Sequence, residues 1–430
     1  MGSSVRVKEA SVVTPSEPTP SRVLALSALD SQLFLRFTIE YLFIYEPRPG
    51  VNQTAVAARM KSALARALVP YYPLAGRVRP SAEGPGLEVV CAAQGAVFIE
   101  ASADRCYSAN DFEKAPKTVT HWRPLLSFHV ADVLKGSPPL VVQLTWLAGG
   151  AAAVGLGINH CLCDGIGSAE FLNYFAELAN GRKRECWPKP VWERHLLSPT
   201  LGNRTRIDPA SHPEFSRVPD LCGGFVKKVS TGLKPTSVTF DKGRLNELKR
   251  VAGGCYTSFE VLAAHVWRSW ARALRFPGKQ ILKLVFSINV RKRVKPGLGE
   301  GYYGNAFVLG CAETSAKELE ERGIGYGSSL VRRAKERVGE SHVQGVIECV
   351  WERKACPDPV GVLILSQWSR LGLEKVDVGL GKPLHVGPVC CDRYCLFLPL
   401  RDHSFSVKVM LAVPASALHH YHASLISHPF

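Results

Sequence analysis

Residues 158–167 read INHCLCDGIG, and this stretch sets both the expected fold and the candidate chemistry. Four side chains that can carry chemistry lie within five positions: His160, Cys161, Cys163 and Asp164. The residues before them are apolar and rich in glycine, which is typical of a buried strand. Since Gly165 and Gly167 follow, we expect His160 at a boundary where a buried strand emerges into a cleft. A neutral imidazole there can accept a proton from a hydroxyl, as general-base catalysis requires.

Two other interpretations of this histidine stay open at this point. In the first, His160 is a hydrogen-bonded core residue. In the second, it shares a metal ion with Cys161, Cys163 and Asp164. The chain contains 13 histidines, so the bare HxxxD spacing has little specificity by itself. Because no second cluster of ligands is evident and small buried cysteines explain the pair as well, we predict no metal.

Length and composition bound the class of protein. A chain of 430 residues with 46% hydrophobic residues indicates two globular domains, because single cores stop growing near about 250–300 residues. The 13 cysteines are scattered without a CxxC pair, which favours reduced thiols. The N-terminal residues lack the apolar core of a signal peptide. We therefore expect a cytoplasmic protein that acts as a monomer.

The net charge of +16 is concentrated in the middle third of the chain. Residues 181–300 hold 24 lysines and arginines against nine acidic residues, an excess of 15. Such a bias is compatible with a polyanionic partner or with a solvated basic surface. A nucleic-acid binder is disfavoured, since the charges lack aromatic interleaving and any reading motif.

Residues 140–158, LVVQLTWLAGGAAAVGLGI, carry no charge over 19 positions, the minimum length of a membrane span. Two glycines divide this stretch into two runs of strand length, and Gln143 and Thr145 alternate with apolar neighbours. A buried β-hairpin is therefore predicted, and no membrane span.

Periodicity predicts the other elements. The predicted helices cover residues 55–69 with Thr54 as N-cap, the segment from Asp164 to Asn180, and a helix opened by a capping box of Thr257 and Glu260. The predicted strands cover residues 282–290, 305–311 and 405–413. Between them, residues 186–224 are rich in Pro, Arg and Ser without periodicity and indicate a crossover between domains.

Several catalytic templates are absent. The sequence has no GxSxG elbow, and the GxGxxG at residues 299–304 precedes a strand-like segment instead of the helix that a dinucleotide site needs. The GLGKP at residues 379–383 lacks the first glycine and the Ser or Thr of a phosphate loop. We therefore expect no permanently bound cofactor.

The HxxxDG at residues 160–165, taken with DVGLGKP at 377–383, resembles the plant BAHD family of acyl-CoA-dependent acyltransferases, whose second signature is DFGWG. Further matches extend over most of the chain: TPSEPTP, LSALD, YPLAGR, TSFEVLAAHVW, NVRKR, GYYGNAF and SQWSRL. Val378 and Leu380 replace the usual Phe and Trp, whereas Asp377, Gly379 and Gly381 are retained. Since this motif is structural in the family, we expect altered packing without loss of chemistry.

The resemblance implies an α/β (mixed α+β) fold of two chloramphenicol-acetyltransferase-like domains, each a mixed β-sheet flanked by helices, with a channel between them. The HxxxD motif would lie in the first domain, residues 1–185, and the DxGxG motif in the second, residues 225–430, with 186–224 as the crossover. Acyl-CoA would be a co-substrate that enters from one side and the acceptor from the other. The phosphates of coenzyme A would then be the partner of the basic segment.

The resemblance also implies roles for single residues. His160 would take the proton of the acceptor as it attacks the thioester, without an acyl-enzyme. Positions matching Ser366 and Trp368 lie near the oxyanion in the family, where a hydroxyl and an indole N–H are suitable donors, although Trp368 also fits a core aromatic. The family's aspartate turns from the channel and pairs with an arginine, so Arg291 is the expected partner of Asp164.

These observations favour an O-acyltransferase that moves an acyl group, preferably aromatic such as benzoyl or hydroxycinnamoyl, from acyl-CoA to a hydroxyl of a small molecule. One alternative is N-acylation of an amine or polyamine. A second alternative is a non-catalytic accessory protein of fatty-acyl elongation, which the altered second signature permits.

Overall fold

The computed structural model describes residues 5–103, 112, 121–130, 132–181, 188–199, 211–390, 392, 394–401 and 405–426. Part of the predicted crossover, residues 186–187 and 200–210, lies outside the described residues.

Fifteen strands and nine α-helices are described within these ranges. The strands are β1 (Val5–Val13), β2 (Arg22–Ala25), β3 (Thr38–Tyr45), β4 (Arg77–Pro80), β5 (Leu87–Cys91), β6 (Ala96–Ala103), β7 (Leu140–Trp146), β8 (Ala152–Asn159), β9 (Leu233–Phe240), β10 (Ile281–Asn289), β11 (Phe307–Ser315), β12 (Val362–Gln367), β13 (His385–Pro388), β14 (Cys395–Leu398) and β15 (Val407–Pro414). The helices are α1 (Gln53–Ala67), α2 (Gly165–Ala179), α3 (Phe225–Ser230), α4 (Lys242–Ala252), α5 (Ser258–Leu274), α6 (Ala316–Glu321), α7 (Gly323–Arg337), α8 (Glu340–Arg353) and α9 (Leu418–Ile426).

Two six-stranded mixed sheets organise the molecule. The first has the strand order β1-β6-β7-β8-β3-β13 and the second the order β11-β10-β12-β14-β15-β9. Strands β6 and β7 are parallel, as are β10, β12 and β14, whereas the other neighbours are antiparallel. A small three-stranded sheet, β2-β5-β4, accompanies the first. The structure thus has the predicted mixed α/β architecture of two sheets with helices.

The uncharged stretch at residues 140–158 forms the predicted hairpin. Strands β7 and β8 pair antiparallel from Leu140 with Ile158 to Trp146 with Ala152, and every residue of both strands is buried. Burial on both faces explains the nearly continuous apolar sequence. Among the described helices, none combines the length and apolar character that crossing a bilayer needs.

The C-terminal half of the chain contributes a strand to the first sheet. Strand β13 pairs antiparallel with β3, with His385 opposite Ile44 and Pro388 opposite Tyr41. Residues 225–430, predicted as one domain, therefore complete the edge of a sheet that residues 1–185 begin. The predicted domain boundaries stay a prediction.

Helix starts follow capping chemistry. Helix α5 begins with the predicted capping box, in which the Thr257 side chain accepts from the backbone N–H of Glu260 and the Glu260 carboxylate accepts from that of Thr257. The expected N-cap of α1 was wrong: Asn52, not Thr54, accepts from the backbone N–H of Ala55 at 3.0 Å, and the helix begins at residue 53. An asparagine caps as well as a threonine, and periodicity alone does not choose between neighbours.

Candidate active site

The second sheet has one face covered by helices and one face turned to the first half. Alternation along β10 and β12 puts Leu284 and Leu365 into the helix-covered core. The opposite face carries Val285 and Phe307, which pack with Leu35 from the first half. This second face is called the inner face below.

Solvent reaches one end of the inner face. Ser287 and Asn289 of β10 lie on it and are exposed, and Ile364 and Ser366 of β12 are partly exposed. At the other end, residues of β14 and β15 on the same face are buried in the core of the first half: Leu396, Leu398, Met410 and Ala412. The two sheets therefore meet in a cleft that is open along β10 and β12 and closed along β14 and β15.

His160 lies beside this cleft. Its backbone N–H donates to the carbonyl of Phe37 at 2.8 Å, directly after the last pair of the β3–β8 ladder, and its imidazole is partly exposed. The ring centroid is 5.3 Å from that of Phe37 and 5.8 Å from that of Phe307 on the inner face. Because one aromatic neighbour comes from each half, the imidazole stands where the two halves meet.

The imidazole of His160 is held in its neutral form. Burial lowers its pKa below the usual histidine value, and its own backbone, the charge of Asp164 and the Asn305 side chain offset this only in part. Within the described residues, Nδ1 is buried without a hydrogen-bond partner. No carboxylate therefore orients the ring, and the neutral ring can accept a proton.

The carboxylate of Asp164 is bound by groups other than His160. Arg291 donates to both carboxylate oxygens, at 2.8 and 2.9 Å, and forms a largely buried bidentate ion pair. The carboxylate also caps α2 by accepting from the backbone N–H of Gly167 at 2.8 Å, and it accepts from that of Ala306 at 3.1 Å. Burial alone would raise the pKa of Asp164, but Arg291 and these hydrogen bonds outweigh burial and lower it. Asp164 therefore holds the backbone at Gly167 and Ala306 in place and does not form a proton relay with His160.

A second buried network holds the HCLC segment and was missed by the sequence reasoning. Asp30 accepts from Arg194 at 2.7 Å and from the Asn305 side chain at 2.8 Å. Asn305 also donates to the carbonyl of His160 at 2.7 Å, and Arg194 donates to the carbonyl of Leu162 at 2.8 Å. The quoted LSALD and GYYGNAF segments contain two of these residues, but nothing in the sequence singled out Arg194. Three distant segments thus fix the backbone on both sides of Cys161.

Two glycines allow the segments to approach. A Cβ on Gly167 would lie 1.8 Å from the carbonyl oxygen of Tyr303, and a Cβ on Gly304 would lie 1.9 Å from Nη1 of Arg194. Both distances exclude any side chain, because backbone and a buried guanidinium fill the space. Glycine is therefore required at position 167, two residues after HxxxDG, where the helix start meets Tyr303, and at position 304 of GYYGN, where the backbone meets Arg194.

The DxGxG segment lies at the other end of α2. Asp377 accepts from the backbone N–H of Gly379 at 2.9 Å and of Gly381 at 2.7 Å, and from the side chain of Asn180 at 2.9 Å. Asn180 ends α2 and Asp164 begins it, and a helix of 15 residues is about 22 Å long. The Asp377 loop is therefore placed to organise the fold, far from the imidazole.

The residues that replace the usual aromatic pair in this loop are buried. Val378 and Leu380 belong to the core of the first half, together with Val376. The hydroxyl of Tyr45 donates to the carbonyl of Val376 at 2.9 Å and ties the loop to β3. Smaller side chains at these positions therefore change core packing.

Ser366 and Trp368 occupy different environments. Ser366 shares the inner face with Phe307 and is partly exposed, so its hydroxyl lies on the cleft side. Trp368 is 8% exposed, and its ring centroid is 4.9 Å from that of Tyr41. Most of the Trp368 ring is therefore packed in the core, as the core interpretation expects.

The alternative metal site in the HCLCD segment is disfavoured. Burial raises the pKa of the Cys161 thiol to about 12 and that of Cys163 further, and Asp164 already serves Arg291. A cysteine binds zinc as a thiolate, whereas protonated buried thiols are small hydrophobic groups.

Part of the charge excess in residues 181–300 is internal. Arg194, Arg268 and Lys283 are buried, and Arg291 is paired with Asp164. These cations hydrogen-bond backbone and carboxylate groups inside the fold. The basic surface available to a polyanion is thus smaller than the sequence alone indicates.

The pKa of His160 predicts a pH profile. A general base must be neutral, so kcat/KM should stay constant on acidification from neutral pH and fall only below the usual histidine value of about 6.5. Glu170 provides a control, because burial raises the pKa of its carboxyl to about 7. The acidic limb of the kcat/KM profile should stay in place in Glu170→Gln. A fall of kcat/KM that begins above pH 6.5 and disappears in Glu170→Gln would contradict His160 as the titrating base.

The whole chain is similar to characterised proteins. The model of the Transferase family matches residues 3–425. Omega-hydroxypalmitate O-feruloyl transferase of Arabidopsis thaliana is 33% identical over 431 residues, with 96% of this chain and 91% of that protein covered. Fatty alcohol:caffeoyl-CoA acyltransferase of the same plant is 32% identical over 420 residues, with 96% and 95% covered.

A solved structure shares the fold. The crystal structure of vinorine synthase matches with a TM-score of 0.78 at 20% identity, covering 99% of this chain and 98% of that one. The chain belongs to the Transferase family, the BAHD acyltransferases, which move acyl groups from coenzyme A thioesters to acceptor molecules.

Proposed function

We propose that this protein transfers an acyl group from acyl-CoA to an alcohol hydroxyl, with His160 as the general base. The observation that carries this proposal is the neutral, partly exposed imidazole between Phe37 and Phe307 at the cleft. Asp164 is unavailable for a relay because Arg291 occupies both of its oxygens. The imidazole therefore acts alone as proton acceptor.

The proposed reaction proceeds in two steps. The acceptor oxygen attacks the thioester carbonyl while His160 takes the hydroxyl proton, which forms a tetrahedral oxyanion and an imidazolium. The oxyanion then collapses, the carbon–sulfur bond breaks, and the departing thiolate receives the proton from the imidazolium. The ester and free coenzyme A leave, and the imidazole is neutral again. No acyl-enzyme forms, and coenzyme A is a co-substrate rather than a bound cofactor.

The oxyanion needs hydrogen-bond donors, and we assign this role to Ser366 and to the indole N–H of Trp368. Support comes from the resemblance and from the place of Ser366 on the inner face. Loss of one such donor typically costs about 10²–10³ in kcat. Ser366→Ala should therefore lower kcat while KM for acyl-CoA changes little, and Ser369→Ala nearby serves as the matched control. Equal kcat values in both variants would contradict the role of Ser366.

For the substrates we propose a hydroxycinnamoyl donor and an aliphatic alcohol acceptor. The two relatives described above are named for feruloyl and caffeoyl transfer to a hydroxy fatty acid and to fatty alcohols. The aromatic and aliphatic lining of the inner face, including Phe307, Leu309 and Ile364, suits both groups.

A screen tests the function directly. Purified protein would be incubated with feruloyl-, caffeoyl-, benzoyl- and acetyl-CoA against primary alcohols and against amines, including a polyamine. Free coenzyme A thiol and product mass would be measured, and we expect esters of the hydroxycinnamoyl donors. Amides alone would establish the N-acyltransferase alternative. A folded protein that releases no thiol with any pair would favour the accessory role.

We also propose that the protein acts in the cytosol as a monomer. The ten cysteines in the described part of the chain are all free thiols, which suits a reducing compartment. Light scattering coupled to size-exclusion chromatography tests the second point: a mass near 47.0 kDa is expected, and twice that value contradicts it.

A further inference from the structure

A cluster of metal-binding side chains lies outside the proposed active site. His212, Glu214 and His342 converge, and one ligand atom from each lies within 4.8 Å of the others. His212 Nδ1 is 2.9 Å and His342 Nε2 is 3.4 Å from Oε1 of Glu214. All three residues are buried, with 3%, 2% and 9% exposure respectively.

Two polar atoms of this cluster are left without a partner. Within the described residues, His342 Nε2 and Glu214 Oε2 are buried and form no hydrogen bond. Buried polar atoms in native proteins nearly always have a partner, because an unpaired one destabilises the folded state. A metal ion bound among the three side chains would give His342 Nε2 a partner and would attract the carboxylate as a whole.

The surrounding fold holds the cluster in place. The ammonium of buried Lys283 donates to the carbonyls of Pro213 and Ser216, at 2.8 and 2.7 Å, and anchors the segment that carries His212 and Glu214. Gly345 of α8 makes room, because a Cβ there would lie 2.4 Å from Nε2 of His212. Specific contacts in the segment at residues 211–216 and in helix α8 therefore bring the three side chains together.

The chemistry of the three groups suits a transition-metal ion. Two imidazoles and one carboxylate are a common zinc ligand set, with bonds of about 2.0–2.2 Å. A tetrahedral ion with such bonds separates its ligand atoms by roughly 3.3 Å, close to the 2.9 and 3.4 Å present here.

We propose that His212, Glu214 and His342 bind one Zn²⁺ ion, which ties the segment at residues 211–216 to helix α8. The site shares no residue with the proposed active site. The ion would act on stability, since it binds only when the two segments are together.

Metal content tests the proposal without any enzyme assay, so its outcome is independent of the proposed function. The full chain, produced without a histidine tag, would be incubated with Zn²⁺, dialysed and analysed by mass spectrometry for metal. About one Zn²⁺ per chain is expected in the wild type and in His160→Gln. The double variant His212→Gln and His342→Gln should hold less than a tenth of that amount.

A second measurement covers the case in which the double variant does not fold. Metal-free wild type titrated with Co²⁺ should develop the visible bands of a tetrahedral site, saturating at one equivalent, and its melting temperature should rise. The near-isosteric Glu214→Gln should weaken Co²⁺ binding at least tenfold. Wild type without Co²⁺ bands and without bound Zn²⁺, or equal binding in Glu214→Gln, would overturn the proposal.

Discussion

Replacing His160 by alanine is expected to lower kcat/KM by about 10²–10⁴ while the fold stays intact. The loss follows because His160 is the proposed proton acceptor and Asp164, which is bound to Arg291, cannot replace it. The fold should persist because the hydrogen bonds of His160 run through its backbone, to Phe37 and Asn305. Initial rates of coenzyme A release and thermal unfolding of the same samples provide the measurement.

The control for this variant is an exposed histidine. His195→Ala alters a side chain at the surface and should leave both the rate and the melting temperature unchanged. Turnover in His160→Ala within a factor of ten of the wild type would remove the general-base assignment. A large fall in melting temperature would instead indicate that His160 is a packing residue.

Replacing Asp164 by alanine is expected to damage the fold before it damages the chemistry. Loss of one partner of a buried ion pair typically costs about 3–5 kcal/mol, because the other charge stays buried and uncompensated. Loss of the N-cap of α2 adds about 1 kcal/mol. We therefore expect poor soluble yield and a much lower free energy of unfolding for Asp164→Ala, measured by urea denaturation.

Two further variants separate charge from capping. Asp164→Asn keeps an acceptor for the N–H of Gly167 and should be less destabilised, with kcat of the folded fraction close to that of the wild type. Combining Asp164→Ala with Arg291→Ala removes both charges, so the double variant should be more stable than the sum of the single losses indicates. An Asp164→Ala protein as stable as the wild type but inactive would contradict the structural role.

The sequence predicted those local features that depend on neighbouring residues, such as turns and helix caps. The β7–β8 hairpin follows from two apolar runs joined at Gly149 and Gly150, and the start of α5 follows from the spacing of Thr257 and Glu260. The place of His160 after a buried strand followed from the apolar residues before it. The expected pairing of Asp164 with Arg291 came from the resemblance, since nothing local links residues 127 positions apart.

Features that depend on distant segments could not be read from the sequence. Asp30 and Arg194 form a buried pair across 164 positions, and each looks like an ordinary surface residue by type. His212 and Glu214 meet His342 only because α8 packs beside the crossover segment. The charge excess of residues 181–300 was a weak guide for the same reason, since Lys283 and Arg268 turn inward.

Because β13 lies near the end of the chain, the first sheet cannot be completed until late in synthesis. Until residue 388 has left the exit tunnel, β3 presents an open hydrogen-bonding edge to other proteins, and open edges pair with strands of other chains. Since synthesis runs at about 5–20 residues per second, the nascent first sheet carries this aggregation hazard for most of translation. Truncation upstream of β13 would make that hazard permanent, so the amino-terminal half is a poor candidate for separate expression.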